Sequence, residues 1–380
     1  MLTLILPHIA KLATVAVLCA VIVKFIVYPI FLSPLSKLPV AHPLAYVTSL
    51  WIQWHRWRGT EFDCVTQAFA NQGSYVRLAP NEIAVNEIEA VRSVYGIGKN
   101  NFDKDPYYGH FGSHGIGIPI LPKAHFQAVK EREDWALAKV SECEDAMHDS
   151  KGKIRDIASL PLGELPIIYA YMRSAMEKTA PVDGHFTLSS HQALEVASEI
   201  LDHITATGDT FGTMFTYMVY ELSRRQDIQK DLCEELLGIA NPFLYNGITE
   251  SSMPILADLE GLPCLESVIK ESLRLRTQTP NLAPRVTPPN RRSSVGFLCN
   301  LPPGIRIGTY GWWLNRNPDV FPDPDTWEPR RWLGGGPDAA ALRDQWLFAF
   351  GGGSLLRLLI SGIYSNFKTT VLDEAEYPAS

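Results

Sequence analysis

Leu12 to Leu32 reads LATVAVLCAVIVKFIVYPIFL, 21 residues with one charge, Lys24. This run restricts the fold most. A helix of that length crosses about 30 Å of hydrocarbon, where the backbone has no water to satisfy it. Lys24 can snorkel toward an interface. A cleaved leader would have a shorter apolar stretch and small residues at the cut, whereas this run ends in Tyr28, Pro29, Phe31 and Leu32. Two readings stay open: an uncleaved anchor, which these flanks favour, and a buried or interfacial helix. Lys11 precedes the run and Lys37, Arg56 and Arg58 follow it, a slight asymmetry that favours a cytosolic main domain. SPLSKLPVAHP (33–43) then stops the helix as a stiff proline hinge leading away from the membrane. The expected plan is an anchor over 1–32, a proline-rich hinge over 33–45 and a main domain over 46–380.

Among 380 residues, 46% are hydrophobic and 20% charged, enough for a large core and too apolar for disorder. The net charge of −7, with no basic stripe between aromatics, argues against nucleic acid as a partner. The six cysteines (Cys19, Cys64, Cys143, Cys233, Cys264, Cys299) form no CxxC pair, which fits reduced, cytosol-facing thiols rather than a disulfide frame or zinc site. None follows Cys299.

Tyr75 to Asn86 alternates around Ala79-Pro80-Asn81-Glu82, the pattern of a hairpin with a polar turn. Helical periodicity dominates afterwards. Phe126–Met147 is amphipathic, and Leu194–Leu222 repeats apolar residues at three- and four-residue steps, a helix of about eight turns. Further helices are expected at Asp227–Ala240 and Leu262–Leu275, and the prolines from Pro280 to Pro337 predict loops and short strands. The predicted class is mainly α with a minor β region.

Residues that can carry chemistry are few. Ala206-Thr207-Gly208-Asp209-Thr210 places a glycine, a carboxylate and a β-hydroxyl on an otherwise apolar face of the long helix. Gly208 costs that helix about 1 kcal/mol relative to alanine, and burying Asp209 costs more unless it is paired. The stretch is either a solvated notch or a kinked, water-holding site with Asp209 and Thr210 as a proton relay. Glu271 and Arg274 lie one turn apart, a spacing that by itself often decorates an exposed face. In NPDVFPDPDTWEPRRWL (317–333), prolines and aspartates force an irregular meander, from which Arg331 can join Glu271 and Arg274 in a three-way charge cluster. FAFGGGS (348–354) is a glycine-rich loop without the Gly-Lys-Ser/Thr ending of a phosphate loop.

Together and in this order, these features resemble the cytochrome P-450 family of heme-thiolate monooxygenases, with the flavour of fungal, membrane-anchored members that tailor secondary metabolites. The resemblance implies a P-450-like fold preceded by one N-terminal transmembrane helix. It implies heme, an NADPH-dependent reductase as electron donor, and insertion of one oxygen atom into an apolar small molecule. It also implies a single-pass place in the endoplasmic reticulum membrane with the main domain cytosolic. Carried over by position, Asp209 and Thr210 would deliver protons to bound dioxygen, although Thr207 stands where the family has glycine. Glu271, Arg274 and Arg331 would form a structural charge triad, Arg285 would pair with a heme propionate, and Phe350 and Gly353 would open the loop over the proximal face of the heme.

The family's loop, Phe-x-x-Gly-x-x-x-Cys-x-Gly, begun at Phe350, puts its cysteine at position 357, which is Arg357. A guanidinium stays charged and offers iron no lone pair. LLRLLISGIYSNFKTT is similar to the later part of the helix that follows the family's cysteine, so a segment of about a dozen residues is expected to be absent near 354–359. Phe348 to Ser380 holds neither cysteine nor histidine, so no metal ligand is assigned. Two further shortenings are expected. About eighty residues separate NFDKDPYYGHF (101–111) from the long helix, so family helices are missing before about 125, and LDEAEYPAS ends the chain before the family's last strands. The expectation is an incomplete P-450-like domain, a monooxygenase by ancestry and inactive as written. The alternative is a catalytically inactive membrane-anchored remnant or interaction protein.

Overall fold

The computed structural model describes residues 14–96, 102–106, 123–148, 155, 166–178, 188–245, 254, 256–277, 282–348 and 354–371. The apolar run is helix α1, Thr14–Leu32, exposed along nearly all its length. From Val23 its turns widen to i→i+5 spacing, closing with the Ser33 amide on the Tyr28 carbonyl at 2.8 Å. Residues 33–45, expected as a hinge, are packed instead: Leu35, Leu38 and Ala45 are buried. Pro34 and Pro43 each start a single tight turn, because a proline fixes φ and needs no amide partner at a first helical position.

Helices α2 (Leu50–Arg58) and α3 (Glu61–Gln72) lead into the expected hairpin, β1 (Tyr75–Ala79) and β2 (Glu82–Val85), with Tyr75 opposite Val85. Helix α4 (Ile88–Tyr95) and a short β3 (Asp103–Lys104) follow. Then come α5 (Lys123–Met147), α6 (Ile167–Lys178), α7 (Ser190–Ala206), α8 (Gly212–Arg224), α9 (Gln226–Leu237), α10 (Leu256–Leu259) and α11 (Pro263–Leu275). Strands β4 (Arg285–Val286), β5 (Ser293–Val295), β6 (Leu298–Leu301) and β7 (Arg306–Gly308) fill the proline-rich stretch, with α12 (Gly311–Leu314), α13 (Gly336–Trp346) and α14 (Ser354–Tyr364) after them. The described residues are thus mainly helical with small sheets. One sheet runs β1-β2-β7-β4-β3, antiparallel except for β2 with β7, and β5 pairs with β6 alone.

One helix expectation changes. The single helix over Leu194–Leu222 is two, joined at Thr207–Phe211 by wider i→i+5 turns where Gly208 and two threonines weaken the α pattern. Helix α13 begins where the stretch expected as loops and short strands ends, with Gly335 and Gly336, at φ 88° and 75°, turning the chain and Pro337 starting the helix.

The chain divides into two compact units, Met1–Asp105 with Met214–Ser380, and Pro106–Thr213, where one domain over 46–380 is expected. In the first, the hairpin is buried on both faces. Ile83 and Val85 join Leu35, Leu38, Ile307 and Leu314, while Val76 and Leu78 join Ile52, Val65, Phe69 and Tyr310. The second unit packs α5, α6 and α7 through Ala136, Val140, Tyr169, Ala170, Val196 and Ala197. Trp135 is exposed with the Lys139 ammonium 5.9 Å above its ring, the outer face of an ordinary amphipathic helix.

Candidate functional site

Helix α11 begins with Pro263, and the Glu235 carboxylate accepts from the Cys264 and Leu265 amides, each at 2.8 Å. That cap satisfies donors the helix itself cannot, and an acid suits the positive end of its dipole. One turn from its far end, Glu271 and Arg274 are wholly buried. Arg274 donates Nε to Glu271 Oε2 at 2.9 Å and Nη2 to Oε1 at 2.8 Å. Arg331 Nε adds a bond to Oε1 at 3.0 Å, the Glu328 amide another at 2.9 Å, and the Trp332 indole bonds Oε2 at 2.9 Å. One carboxylate therefore accepts from five donors, and its desolvation is offset by charge-assisted bonds.

The two guanidiniums also hold the meander. Arg274 reaches the carbonyls of Asn315 (2.9 Å), Pro324 (2.6 Å) and Thr326 (3.2 Å), and Arg331 those of Pro322 (2.6 Å), Asp323 (3.3 Å) and Thr326 (3.2 Å). A stretch with four prolines cannot satisfy its carbonyls in a helix, so side-chain donors take that role. The Phe321 ring lies 5.1 Å under the Arg274 guanidinium. Trp332 and the Glu328 amide are partners the sequence reading missed. The tryptophans beside the two arginines were the available signal.

The approach to the glycine-rich loop is fixed by Asn315, fully buried, which exchanges bonds with Phe348: amide to Oδ1 at 2.8 Å and Nδ2 to carbonyl at 3.1 Å. Gly311 leaves room for this, since a Cβ there would meet the Phe348 ring at 3.0 Å. Phe348 packs edge-on to Tyr95 at 5.4 Å, and the Arg285 guanidinium lies 5.5 Å from the same Tyr95 ring. Arg285, on β4, is therefore one aromatic ring away from the start of the loop. Phe350 and Gly353 lie outside the described residues. So do the ends of the proposed shortenings at 107–122 and 372–380.

Beyond the loop, α14 starts at Ser354, so Arg357 stands in a helix. Leu356, Ile360 and Tyr364 are buried on that helix, and Arg357, 9% exposed, donates Nη2 to Glu266 Oε2 of α11 at 2.5 Å. Gly362 permits close packing against Phe243, whose ring a Cβ would meet at 2.7 Å. The residue at the expected cysteine position is thus committed to helix–helix packing.

Burial pushes Cys64 and Cys264 up to about 12, with neighbouring carboxylates adding to the effect, and burial also raises Cys143 and Cys233. Cys299 is exposed on β6. Among the described residues, no cluster of three His, Cys, Asp or Glu suits a metal ion.

Asp209 and Thr210 lie in the i→i+5 segment between α7 and α8. A Cβ at Gly208 would meet nothing within 4 Å, and Thr210 is half-buried. Insertions of this kind bend helices and recur at functional sites.

The family described as Cytochrome P450 matches residues 118–354. "Cytochrome P450 monooxygenase poxC" of Penicillium oxalicum is 25% identical over 82% of this chain and 74% of its own length. "Cytochrome P450 monooxygenase aneF" of Aspergillus aculeatus is 23% identical over 86% of this chain and 84% of its own length. "Inactive cytochrome P450 monooxygenase cloA" of Claviceps fusiformis is 31% identical over 47% of this chain and 34% of its own length. With a match across most of its length, and fungal monooxygenases among its relatives, the chain belongs to the cytochrome P-450 family.

Proposed function

We propose that this chain is a membrane-anchored cytochrome P-450 scaffold that keeps the family's charge triad and has lost its heme site. By ancestry it is a monooxygenase of secondary metabolism, inserting oxygen into an apolar small molecule, and in this form it is catalytically inactive. The observation that carries the reading is Arg357, seated in α14 and paired with Glu266. Heme in this family supplies oxygen activation through a thiolate ligand. The residues present do not fit it: the ligand position is a helical arginine, and Phe348–Ser380 contains no other soft or imidazole donor. Without that cofactor, Asp209 and Thr210 have no bound oxygen to protonate, Arg285 has no propionate, and a reductase has no acceptor.

Three comparisons support the reading. The family match stops at residue 354, where the expected loop pattern breaks off. The alignment with aneF runs to 435 positions while taking in 86% of this chain, a length that requires gaps inside it. One relative is inactive by name. Carbon monoxide difference spectra of reduced, solubilised membranes, recorded beside an intact relative, test it. The expected result is no heme signal from folded protein. A thiolate-type Soret band would mean that another cysteine reaches iron, and would overturn the proposal.

We further infer that α1 is a single-pass anchor in the endoplasmic reticulum with the main domain in the cytosol, on its length and the basic residues after it. Alkaline carbonate is expected to leave the chain in the membrane pellet, and protease added to sealed microsomes is expected to digest the main domain. Release into the supernatant would contradict the anchor, and protease protection would contradict the orientation.

A further inference from the structure

We infer that Arg276 and Arg316, at the end of α11, form a buried site for a free, small oxyanion of the phosphate or sulfate class.

Both guanidiniums are held in place, and neither is fully used. Arg316 lies just past α12, its side chain 10% exposed. It donates Nη2 to the Leu275 carbonyl and Nε to Asp325 Oδ1, each at 2.8 Å, and lies 4.2 Å over the Trp312 ring. Its Nη1 is buried with no acceptor among the described residues. Arg276 comes directly after Leu275, with its amide on the Ser272 carbonyl at 2.9 Å and its guanidinium 4.5 Å over the Tyr217 ring of α8. Its Nε is likewise buried and without an acceptor. The Leu275 carbonyl accepts from one arginine and is followed by the other, so both orphan donors belong to one corner of the fold. A buried donor left unpaired gives up its hydration without return, and two of them together call for an ion or an ordered water.

The surrounding charges select an anion. The facing acid is Glu221 of α8, whose Oε1 stands 3.9 Å from Arg276 Nη2, beyond hydrogen-bond reach. Burial raises that carboxyl, and Arg224 and Arg225 act on it as well as Arg276, so Arg276 does not have it to itself. Asp325, which Arg316 does bond, is 79% exposed and screened by solvent. Arg274, the next cation, is spent on Glu271 and the meander carbonyls. Burial holds Arg316 below the usual guanidinium range, with Asp325 opposing this and Arg274 and Arg276 adding to it. The end of α11 carries only about half a negative charge, and its Leu275 carbonyl is already taken by Arg316. A tetrahedral oxyanion offers one oxygen to each fixed N–H direction, through charge-assisted bonds. Both nitrogens are shut off from solvent, which restricts the occupant to a small ion.

The test is equilibrium dialysis of the full chain in detergent micelles against labelled inorganic phosphate, with chloride balancing the ionic strength. One phosphate per chain is expected, and saturating phosphate should raise the thermal midpoint by about 2–4 °C. Arg276→Gln, which removes the charge and the Nε donor, is expected to weaken binding about tenfold. Glu221→Gln, which removes the facing carboxylate, is expected to tighten it about threefold, a gain that a damaged fold would not produce. That second variant decides the matter where Arg276→Gln does not fold. Binding unchanged in both variants overturns the proposal, as does a midpoint that follows ionic strength alone. Absence of bound phosphate overturns it too and leaves the corner to ordered water. Displacement by excess glycerol phosphate would overturn the assignment to a free ion.

Discussion

Glu271→Ala is expected to cost the first unit roughly 3–5 kcal/mol, because it leaves the buried Arg274 charge uncompensated and strips an acceptor from Arg331, Trp332 and the Glu328 amide. Against a total of about 5–15 kcal/mol, that removes from about a fifth to all of the stability. The meander loosens with it, since Arg274 and Arg331 also hold the carbonyls of Pro322, Asp323, Pro324 and Thr326. Urea unfolding followed by tryptophan fluorescence measures the loss, with Trp327 and Trp332 inside the cluster as reporters. Lys139→Ala, at an exposed pair with Glu142, is the control and should change stability by about 0.5 kcal/mol or less. If Glu271→Ala falls within about 1 kcal/mol of wild type, the cluster does not support this fold in the way argued.

Arg357→Cys is expected to yield no thiolate-type heme spectrum, although it restores the family's residue at the family's count from Phe350. The new thiol would stand within α14, facing α11, and the Glu266 carboxylate that Arg357 now pairs with at 2.5 Å would hold it protonated. Inserting a cysteine-bearing loop and helical turns of about a dozen residues between Ser354 and Leu359 is expected to produce the spectrum where the point substitution does not. A thiolate Soret band from Arg357→Cys alone would show that the missing element is one side chain rather than a segment.

Much of the fold was legible because its signals are local. The hairpin at Tyr75–Val85, the amphipathic α5 and the helix at Pro263–Leu275 follow from alternation, helical period and capping, which neighbours in sequence decide. The proline-rich stretch reads as loops and short strands for the same reason. Where the reading failed, long-range contact intervened. The segment at 33–45 looks like a linker by its prolines, yet Leu35 and Leu38 are buried against Ile83, Val85 and Ile307. The long helix looks unbroken by its apolar period, which does not report the change of hydrogen-bond spacing at Thr207–Phe211.

The chemical content divides along the same line. Which donors exist is a property of the sequence: no cysteine or histidine from Phe348 onward, an arginine at 357, and a glutamate and two arginines spaced to form a cluster. These follow from covalent identity and from counting, and no packing alters them. What each side chain is committed to needed three dimensions. That Glu271 takes five donors, that Arg357 is spent on Glu266, and that a buried arginine on β1 ties the last turn of the apolar helix to the sheet depend on segments 48 to 91 residues apart being brought together. The energy of a charge is set by what surrounds it, and the surroundings are made by the fold.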